Sequence, residues 1–296
     1  MTHSLHRFGR REDLTGDYIV FAMPARGLND EDAVEKEKEF LRRALAHHPV
    51  NIGDAKKGGW FHPQRELGPT VHWRRDTSPD PQSVIEGVDS PGIVAAVFDD
   101  YDAMVGFVEE LRALDLGVSI NISALASRAA DCCQECQITR HSVEYSLGFL
   151  GRTDKLPQKD VLELSTMCGH GTISFGLAGK MIERVRTGRR SPQEAARTLA
   201  RFCVCSIFNP TRAEEILAGT RRSSGSNQGE CRPVAAVVGA VVAYRRRTHR
   251  DREGMVRRSG HERIVVVAGR RHDEHTGGLG GVDGDVDDGI GTERPV

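Results

Sequence analysis

The hydrophobic positions of residues 17–220 form short continuous runs and longer segments with a helical period. Residues 17–25 (DYIVFAMPA) and 92–98 (GIVAAVF) are rich in β-forming side chains, so each predicts a strand. Between Asp100 and Gly117 the apolar side chains recur with the 3.6-residue period of a helix, and residues 118–122 (VSINI) predict another strand. This strand–helix–strand unit indicates an α/β fold.

Residues 161–219 predict one strand followed mainly by helices. The run at residues 161–166 (VLELST) predicts the strand, and apolar positions at helical spacing over residues 173–185 predict the first helix. Ser191 begins a capping box with proline at the first helical position. The sequence Asn209-Pro210 begins a last helix, which we expect to end at Gly219.

The region between the first two predicted strands contains one further helix and a long irregular segment. Asn29 can cap a helix that Pro49 stops. Residues 51–91 are dense in Gly, Pro, His and Trp, which predicts irregular structure. Three ring side chains of this segment could line a substrate site, but we expect them to be solvated loop positions: His62, His72 and Trp73.

The composition changes near residue 220 and sets the expected domain boundaries. Residues 221–296 contain 14 Arg, 13 Gly and a single Leu, too few large apolar side chains to build a core. We therefore predict a flexible N-terminus (1–16), an α/β domain with a mixed sheet, flanking helices and a helical C-terminal part (17–220), and a poorly ordered, low-complexity tail (221–296). A natural extension and out-of-frame translation of a GC-rich gene both explain the tail, and both stay open.

Charge and hydropathy exclude several classes of partner. The formal net charge is −1, which does not indicate a nucleic-acid-binding protein. The longest apolar run, residues 234–244, is about half the roughly 20 residues of a membrane span, and residues 1–13 lack the apolar region of a secretory signal. Seven cysteines without an export signal predict a cytoplasmic, reducing compartment, where clustered cysteines bind metal or perform chemistry.

Six of the seven cysteines cluster in the folded region. Their local groups are CCxxC (Cys132, Cys133, Cys136), a lone C-G-H-G (Cys168) and C-x-C (Cys203, Cys205), while Cys231 lies alone in the tail. Cys168, Cys203 and Cys205 with one thiol of the first group, Cys133 or Cys136 among them, would supply the four ligands that zinc or an iron–sulfur cluster needs, and His170 could replace one. We predict an iron–sulfur cluster, with zinc, or no metal and simple core packing, as alternatives.

Cys168 stands out because it lies between a predicted strand and a predicted helix. A helix N-terminus would favour the thiolate and lower the pKa of the thiol. Gly169 and Gly171 would let the backbone approach a cofactor closely, and His170 could act as a base. Cys168 and His170 are therefore the candidate catalytic residues.

Residues 167–172 (MCGHGT) resemble the catalytic cysteine motif of the proline racemase and hydroxyproline epimerase family. The resemblance implies that the Cys168 thiol moves the α-proton of a cyclic amino acid, with His170 beside it. It covers these six residues, and the family's second motif, Asp-Arg-Ser-Pro-Cys-Gly-Thr-Gly, has no counterpart in the chain.

Three functions follow from these residues. The first is a metal protein, iron–sulfur or zinc, that performs redox or Lewis-acid chemistry on a small-molecule substrate. The second is a metal-free, thiol-dependent isomerase that uses Cys168. The third is a non-catalytic interaction module whose cysteines only pack. The sequence indicates neither a nucleic-acid nor a membrane partner, and it leaves the oligomeric state open.

Overall fold

The computed structural model describes residues 7–62, 80–140, 143–144, 146, 148–222, 238–245 and 262–267. The strands are β1 Tyr18–Met23, β2 Asn51–Asp54, β3 Gly58–Gly59, β4 Val94–Phe98, β5 Ser119–Leu125, β6 Val238–Arg245 and β7 Glu262–Val267. The helices are α1 Ala33–Ala46, α2 Pro81–Glu86, α3 Tyr101–Leu114, α4 Ala126–Glu135, α5 Lys159–Thr166, α6 Phe175–Arg186, α7 Pro192–Ala200 and α8 Pro210–Arg222.

The strands form one sheet in the order β3-β2-β4-β1-β5-β6-β7. The predicted sheet with flanking helices is confirmed, although each described pairing is antiparallel rather than mixed. The predicted strand–helix–strand unit is β4-α3-β5, and β1 lies between its two strands and pairs with both. Strands β4 and β5 therefore run parallel to each other without touching, as in a split βαβ unit.

The sheet separates two apolar cores, and alternate residues of β1 show the division. Val20 packs with helices α1–α4, whereas Ile19 and Phe21 pack with helices α5–α8. We call these sides the α1–α4 face and the α5–α8 face. Because side chains alternate along a strand, β1 and β4 contribute to both cores.

Two secondary-structure predictions were wrong. Residues 161–166 lie in helix α5, because a short apolar run has no periodicity that distinguishes a strand from a buried helical segment. Residues 51–91 contain β2, β3 and α2; Asn51 pairs with Val97 of β4, so tertiary pairing forms a strand that its own sequence does not favour.

Two helix starts were predicted correctly from their capping side chains, Asp99 or Asp100 before α3 and Ser191 before α7, whereas Asp80 caps α2, which the sequence did not predict. Asp100 accepts a hydrogen bond from the Ala103 backbone N–H at 2.8 Å, and Ser191 with Glu194 forms the predicted capping box. Asn29 does not cap α1, which begins at Ala33; its side chain accepts a hydrogen bond from the Ala25 backbone instead.

The segment before β1 packs against the rest of the chain rather than standing free. Arg7 and Arg212 both pair with the buried carboxylate of Asp17, and the Asn209 amide donates to the same carboxylate at 3.1 Å. The four side chains are 4 % exposed or less. A buried carboxylate needs such partners, so the expectation of a flexible segment up to residue 16 is corrected for residues 7–16.

The predicted tail contains two described strands. The apolar run of residues 234–244 supplies most of β6, which pairs with β5, and β7 pairs with β6. The other residues beyond Arg222, Cys231 among them, lie outside the described residues. Among the described helices, none combines the length and hydrophobicity that crossing a bilayer requires.

Candidate metal centre

Cys168 lies in the loop between α5 and α6. It follows the last residue of α5, Thr166, by two positions, and α6 begins only at Phe175. The predicted position at a helix N-terminus is therefore wrong. The Cys168 side chain is buried in the core of the α5–α8 face, where Met167 and Ile173 pack around it.

A tight turn directs His170 back toward the Cys168 sulfur. The Gly171 backbone N–H donates to the Cys168 carbonyl at 3.0 Å, and Gly171 has a φ of +67°, which a glycine adopts without strain. The predicted role of Gly169 and Gly171 was close approach to a cofactor. The structure gives Gly171 a different role, the turn that brings His170 to the surface above the buried thiol, and places Gly169 within that turn.

Cys203 and Cys205 lie in the loop between α7 and α8. The Ser206 backbone N–H donates to the Cys203 carbonyl at 3.3 Å, which closes a turn around the pair. The two Sγ atoms are 3.6 Å apart, and both side chains are buried. The two loops meet here, so residues that are about 35 positions apart in the sequence contact each other.

Three potential metal ligands converge where the loops meet. The Sγ atoms of Cys168 and Cys205 and a ring nitrogen of His170 lie within 4.8 Å of one another. The thiols are buried, whereas His170 is exposed. Cys203 adds a third thiol on the core side, in contact with Cys205. Thiolate and imidazole are the ligands that zinc prefers in proteins, so the cluster has the donors to hold a metal ion.

The pKa values of the three thiols are shifted in different directions. Hydrogen bonds from Cys203 and Cys205 hold the pKa of Cys168 well below its usual range. Burial raises the pKa of Cys203, and the hydrogen bond to Cys168 raises the pKa of Cys205 to about 12. The Cys203 and Cys205 thiols thus stabilise the Cys168 thiolate by hydrogen bonding. A bound cation would stabilise the same negative charge, so the arrangement favours cation binding.

Four backbone carbonyls on either side of the C-x-C turn are held by side chains from other parts of the chain. The bonds are His62 Nδ1 to Arg201 O at 2.5 Å, Thr172 Oγ1 to Phe202 O at 2.6 Å, Arg7 to Ile207 O, and Asn51 Nδ2 to Phe208 O at 2.9 Å. Because these bonds fix both ends of the loop, the two sulfurs are positioned before any ion binds. We call the four donors the carbonyl clamp.

Thr172 belongs to the clamp and also touches the cluster. Its Oγ1 lies 2.9 Å from the Cys168 sulfur and donates to the Phe202 carbonyl. His62 is buried, at 2 % exposure, so the expectation that it is solvated is corrected. His72 and Trp73, predicted to be solvated with it, lie outside the described residues.

The cysteines of the CCxxC group do not join this cluster. Cys132 and Cys133 lie on α4 and Cys136 just after it, all in the core of the α1–α4 face. Cys132 Sγ is 3.7 Å from the Met104 sulfur, and Cys136 Sγ is 3.7 Å from the Val105 carbonyl. The sheet lies between the two groups. The expectation that Cys133 or Cys136 completes a site with Cys168 is therefore corrected.

Comparison of the chain with protein-family models, with curated proteins and with solved structures finds no match.

Proposed function

We propose that Cys168, His170 and Cys205 bind one zinc ion, which acts as a Lewis acid on a small molecule. The observation that carries the proposal is the convergence of two thiol sulfurs and one imidazole nitrogen within 4.8 Å. Catalytic zinc sites use three protein ligands and keep a fourth position open, and Cys₂His is one of their known ligand sets. Bound zinc would supply polarisation of a carbonyl or a similar oxygen.

The spacing of the sulfurs favours a single ion over the predicted iron–sulfur cluster. Two thiolates bound to one tetrahedral zinc, at about 2.3 Å each, lie about 3.8 Å apart. The Cys168 and Cys205 sulfurs, the two thiol ligands of the proposed site, lie within 4.8 Å of each other. In a four-iron cluster each cysteine binds a different iron, which separates the thiolates further. The cluster remains an outcome that the experiment below distinguishes.

The exposure of the donors indicates where a substrate would enter. His170 is exposed, whereas the Cys168, Cys203 and Cys205 side chains are at most 3 % exposed. Among the described residues, the side of His170 is therefore where solvent and small molecules can reach an ion. The six described cysteines are free thiols, which a reducing, cytoplasmic compartment would maintain.

A second candidate is a structural zinc site, and the position of Cys203 favours it. With Cys203 as the fourth ligand the coordination sphere would be Cys₃His and closed, which is typical of structural zinc. The ion would then tie the α5–α6 loop to the α7–α8 loop, and no substrate would bind to it.

A racemase-like role of Cys168 without metal stays a prediction. Two thiols that work on opposite faces of one substrate carbon need room for that carbon between them. The thiols next to Cys168 are in hydrogen-bonding contact with it, so they do not leave such a gap. A one-thiol mechanism with His170 is the form of this prediction that the geometry allows.

The test is metal titration of the full chain, purified anaerobically, reduced and stripped with a chelator. We expect one cobalt(II) ion per chain, with sulfur-to-cobalt charge-transfer absorption, and displacement by zinc. Cys205→Ser should weaken binding at least about 100-fold, while the matched control Cys133→Ser should leave it unchanged. No binding would overturn the proposal, and a brown chromophore lost with chelation of iron would replace zinc with a cluster.

The Cys203→Ser variant separates the two zinc readings. If zinc has an open position, the variant keeps the affinity within about tenfold and the cobalt absorption is unchanged. If Cys203 is the fourth ligand, affinity falls as steeply as in Cys205→Ser and the charge-transfer band weakens.

A further inference from the structure

We infer that Cys203 and Cys205 form a site of reversible oxidation, at which a peroxide converts the two thiols into a disulfide within the α7–α8 loop. Their Sγ atoms are in contact at 3.6 Å and are not bonded. The pair lies within one turn, closed by the bond from Ser206 N to Cys203 O. A turn of this kind brings its residues within the Cα spacing of about 4.4–6.8 Å that a disulfide requires.

The oxidation balances with a peroxide as the only co-reactant. The Cys205 thiol, at 3 % exposure the more accessible of the pair, passes its proton to the neighbouring Cys168 sulfur and attacks one peroxide oxygen as the thiolate, and the O–O bond breaks. This step gives a sulfenic acid, and the departing hydroxide takes that proton to form water. The Cys203 sulfur then displaces the second hydroxide, which leaves as water with the Cys203 proton. The two thiols lose two electrons and the peroxide becomes two waters.

The carbonyl clamp makes this loop a suitable place for the reaction. The held carbonyls nearest to the pair are those of Phe202 and Ile207, one on each side. Closing the S–S bond requires the sulfurs to approach by about 1.6 Å, a shift that side-chain rotation inside the turn can supply while the clamped ends stay fixed.

The CCxxC group provides the internal contrast. Helix α4 fixes the backbone of Cys132 and Cys133. The Cys132 and Cys136 thiols are in hydrogen-bonding contact with each other, and they also contact the Met104 sulfur and the Val105 carbonyl. Because the helix holds the backbone of this group, whereas the C-x-C pair lies in a turn, the C-x-C pair should form a disulfide faster.

The experiment treats the full chain, reduced and metal-free, with hydrogen peroxide, blocks the remaining thiols and digests with trypsin. Peptide 202–212 carries both cysteines and should lose two hydrogen atoms, which dithiothreitol restores. Peptide 129–140 carries the CCxxC group and should react at least about tenfold more slowly. In Cys203→Ser the first peptide should instead carry a singly oxidised Cys205 that matures to the irreversible acids.

Three results would overturn the inference: peptide 202–212 that stays reduced, equal oxidation of the two peptides, or a cross-link of Cys168 to either member of the pair. A further measurement rests on the proposed function. In the zinc-loaded chain, disulfide formation should release the zinc ion, and a chromophoric chelator should detect the ion at the same rate as the mass change appears. A chain that binds zinc but forms no disulfide would refute only this inference. A metal-free chain that forms the disulfide but binds no zinc would refute only the proposed function.

Discussion

The two cysteine groups of this protein are equally buried and yet differ in what their sulfurs touch. Cys132, Cys133 and Cys136 are at most 2 % exposed, and Cys168, Cys203 and Cys205 at most 3 %. The first group lies on and directly after one helix, and its sulfurs contact a methionine, a backbone carbonyl and, between Cys132 and Cys136, each other. The second group comes from two loops, and its sulfurs lie beside one another and beside a ring nitrogen of His170. Burial alone therefore does not distinguish packing thiols from ligand thiols.

The pKa directions bear on the same comparison. On the α1–α4 face, burial raises the pKa of Cys133 to about 12, so this thiol stays neutral, whereas a hydrogen bond from the Cys132 thiol lowers the pKa of Cys136. On the α5–α8 face, hydrogen bonds from two neighbouring thiols lower the pKa of Cys168 against the effect of burial. A neutral thiol packs as a small apolar group, whereas a stabilised thiolate attracts a cation. The comparison yields four predictions, each of which perturbs one face and not the other.

The largest effect is expected from Asp17→Asn, which affects the α5–α8 face through its anchor. Arg7 and Arg212 both pair with this carboxylate, so the substitution leaves two buried guanidinium groups without a counter-charge. We expect the free energy of unfolding to fall by about 3–5 kcal/mol in urea denaturation. The control, Asp89→Asn, removes a 61 % exposed partner of Lys57 and should change stability by less than about 0.5 kcal/mol. Equal effects would refute the buried network.

The second-largest effect is expected from Thr172→Val. This substitution keeps the side-chain shape and removes the hydroxyl that contacts Phe202 O and Cys168 Sγ. Loss of such a supporting bond should lower metal affinity about 10- to 100-fold, measured by competition with a zinc chelator. Thr198→Val is the matched control because its hydroxyl donates to Glu194 O within helix α7. Thr172→Ser should restore the affinity, and equal losses in the valine variants would show that the clamp does not position the ligands.

A smaller, pH-dependent effect is expected on the α1–α4 face from Glu37→Gln. Burial raises the pKa of Glu37 to about 7, although its Oε1 accepts the Gly92 N–H at 2.8 Å. The folded state therefore holds a proton that the unfolded chain releases above its ordinary pKa of 4.5. Stability is lost as the pH rises from about 4.5 through about 7, and at pH 8 the glutamine variant should be more stable by about 1–2 kcal/mol.

The check is urea denaturation of both proteins at pH 5 and pH 8, with the gain largely absent at pH 5. Glu35→Gln is the control on the same helix, where the carboxylate is 67 % exposed. A gain that is independent of pH, or one that Glu35→Gln shares, would contradict a proton held by burial. Metal affinity should not change in either variant, because the sheet lies between Glu37 and the cluster.

The smallest effect is expected from Cys132→Ala. Removing one sulfur from a packed core should lower the free energy of unfolding by about 1 kcal/mol and leave metal stoichiometry unchanged. The control is the wild-type chain titrated in parallel. A loss of bound metal in this variant would break the distinction between the two cysteine groups.

Local sequence patterns, such as capping residues, predicted the secondary-structure elements that local interactions stabilise. The helix after Asp100 and the capping box at Ser191 were found because a cap and its partner lie three residues apart. The strand predicted at residues 161–166 failed because six residues are too few to show a period. β2 failed because its pairing with β4, more than 40 residues away, stabilises it.

For the candidate metal centre, the sequence by itself determined the residue types: thiols and an imidazole in C-G-H-G and C-x-C, and a glycine that can make the turn after His170. Only the tertiary structure decided which of them meet. It placed Cys133 and Cys136 across the sheet, and it brought His62 to the carbonyl of Arg201, 139 residues away. Such contacts depend on how helices pack on either face of a sheet. The local pattern of residue types along the chain does not determine that packing.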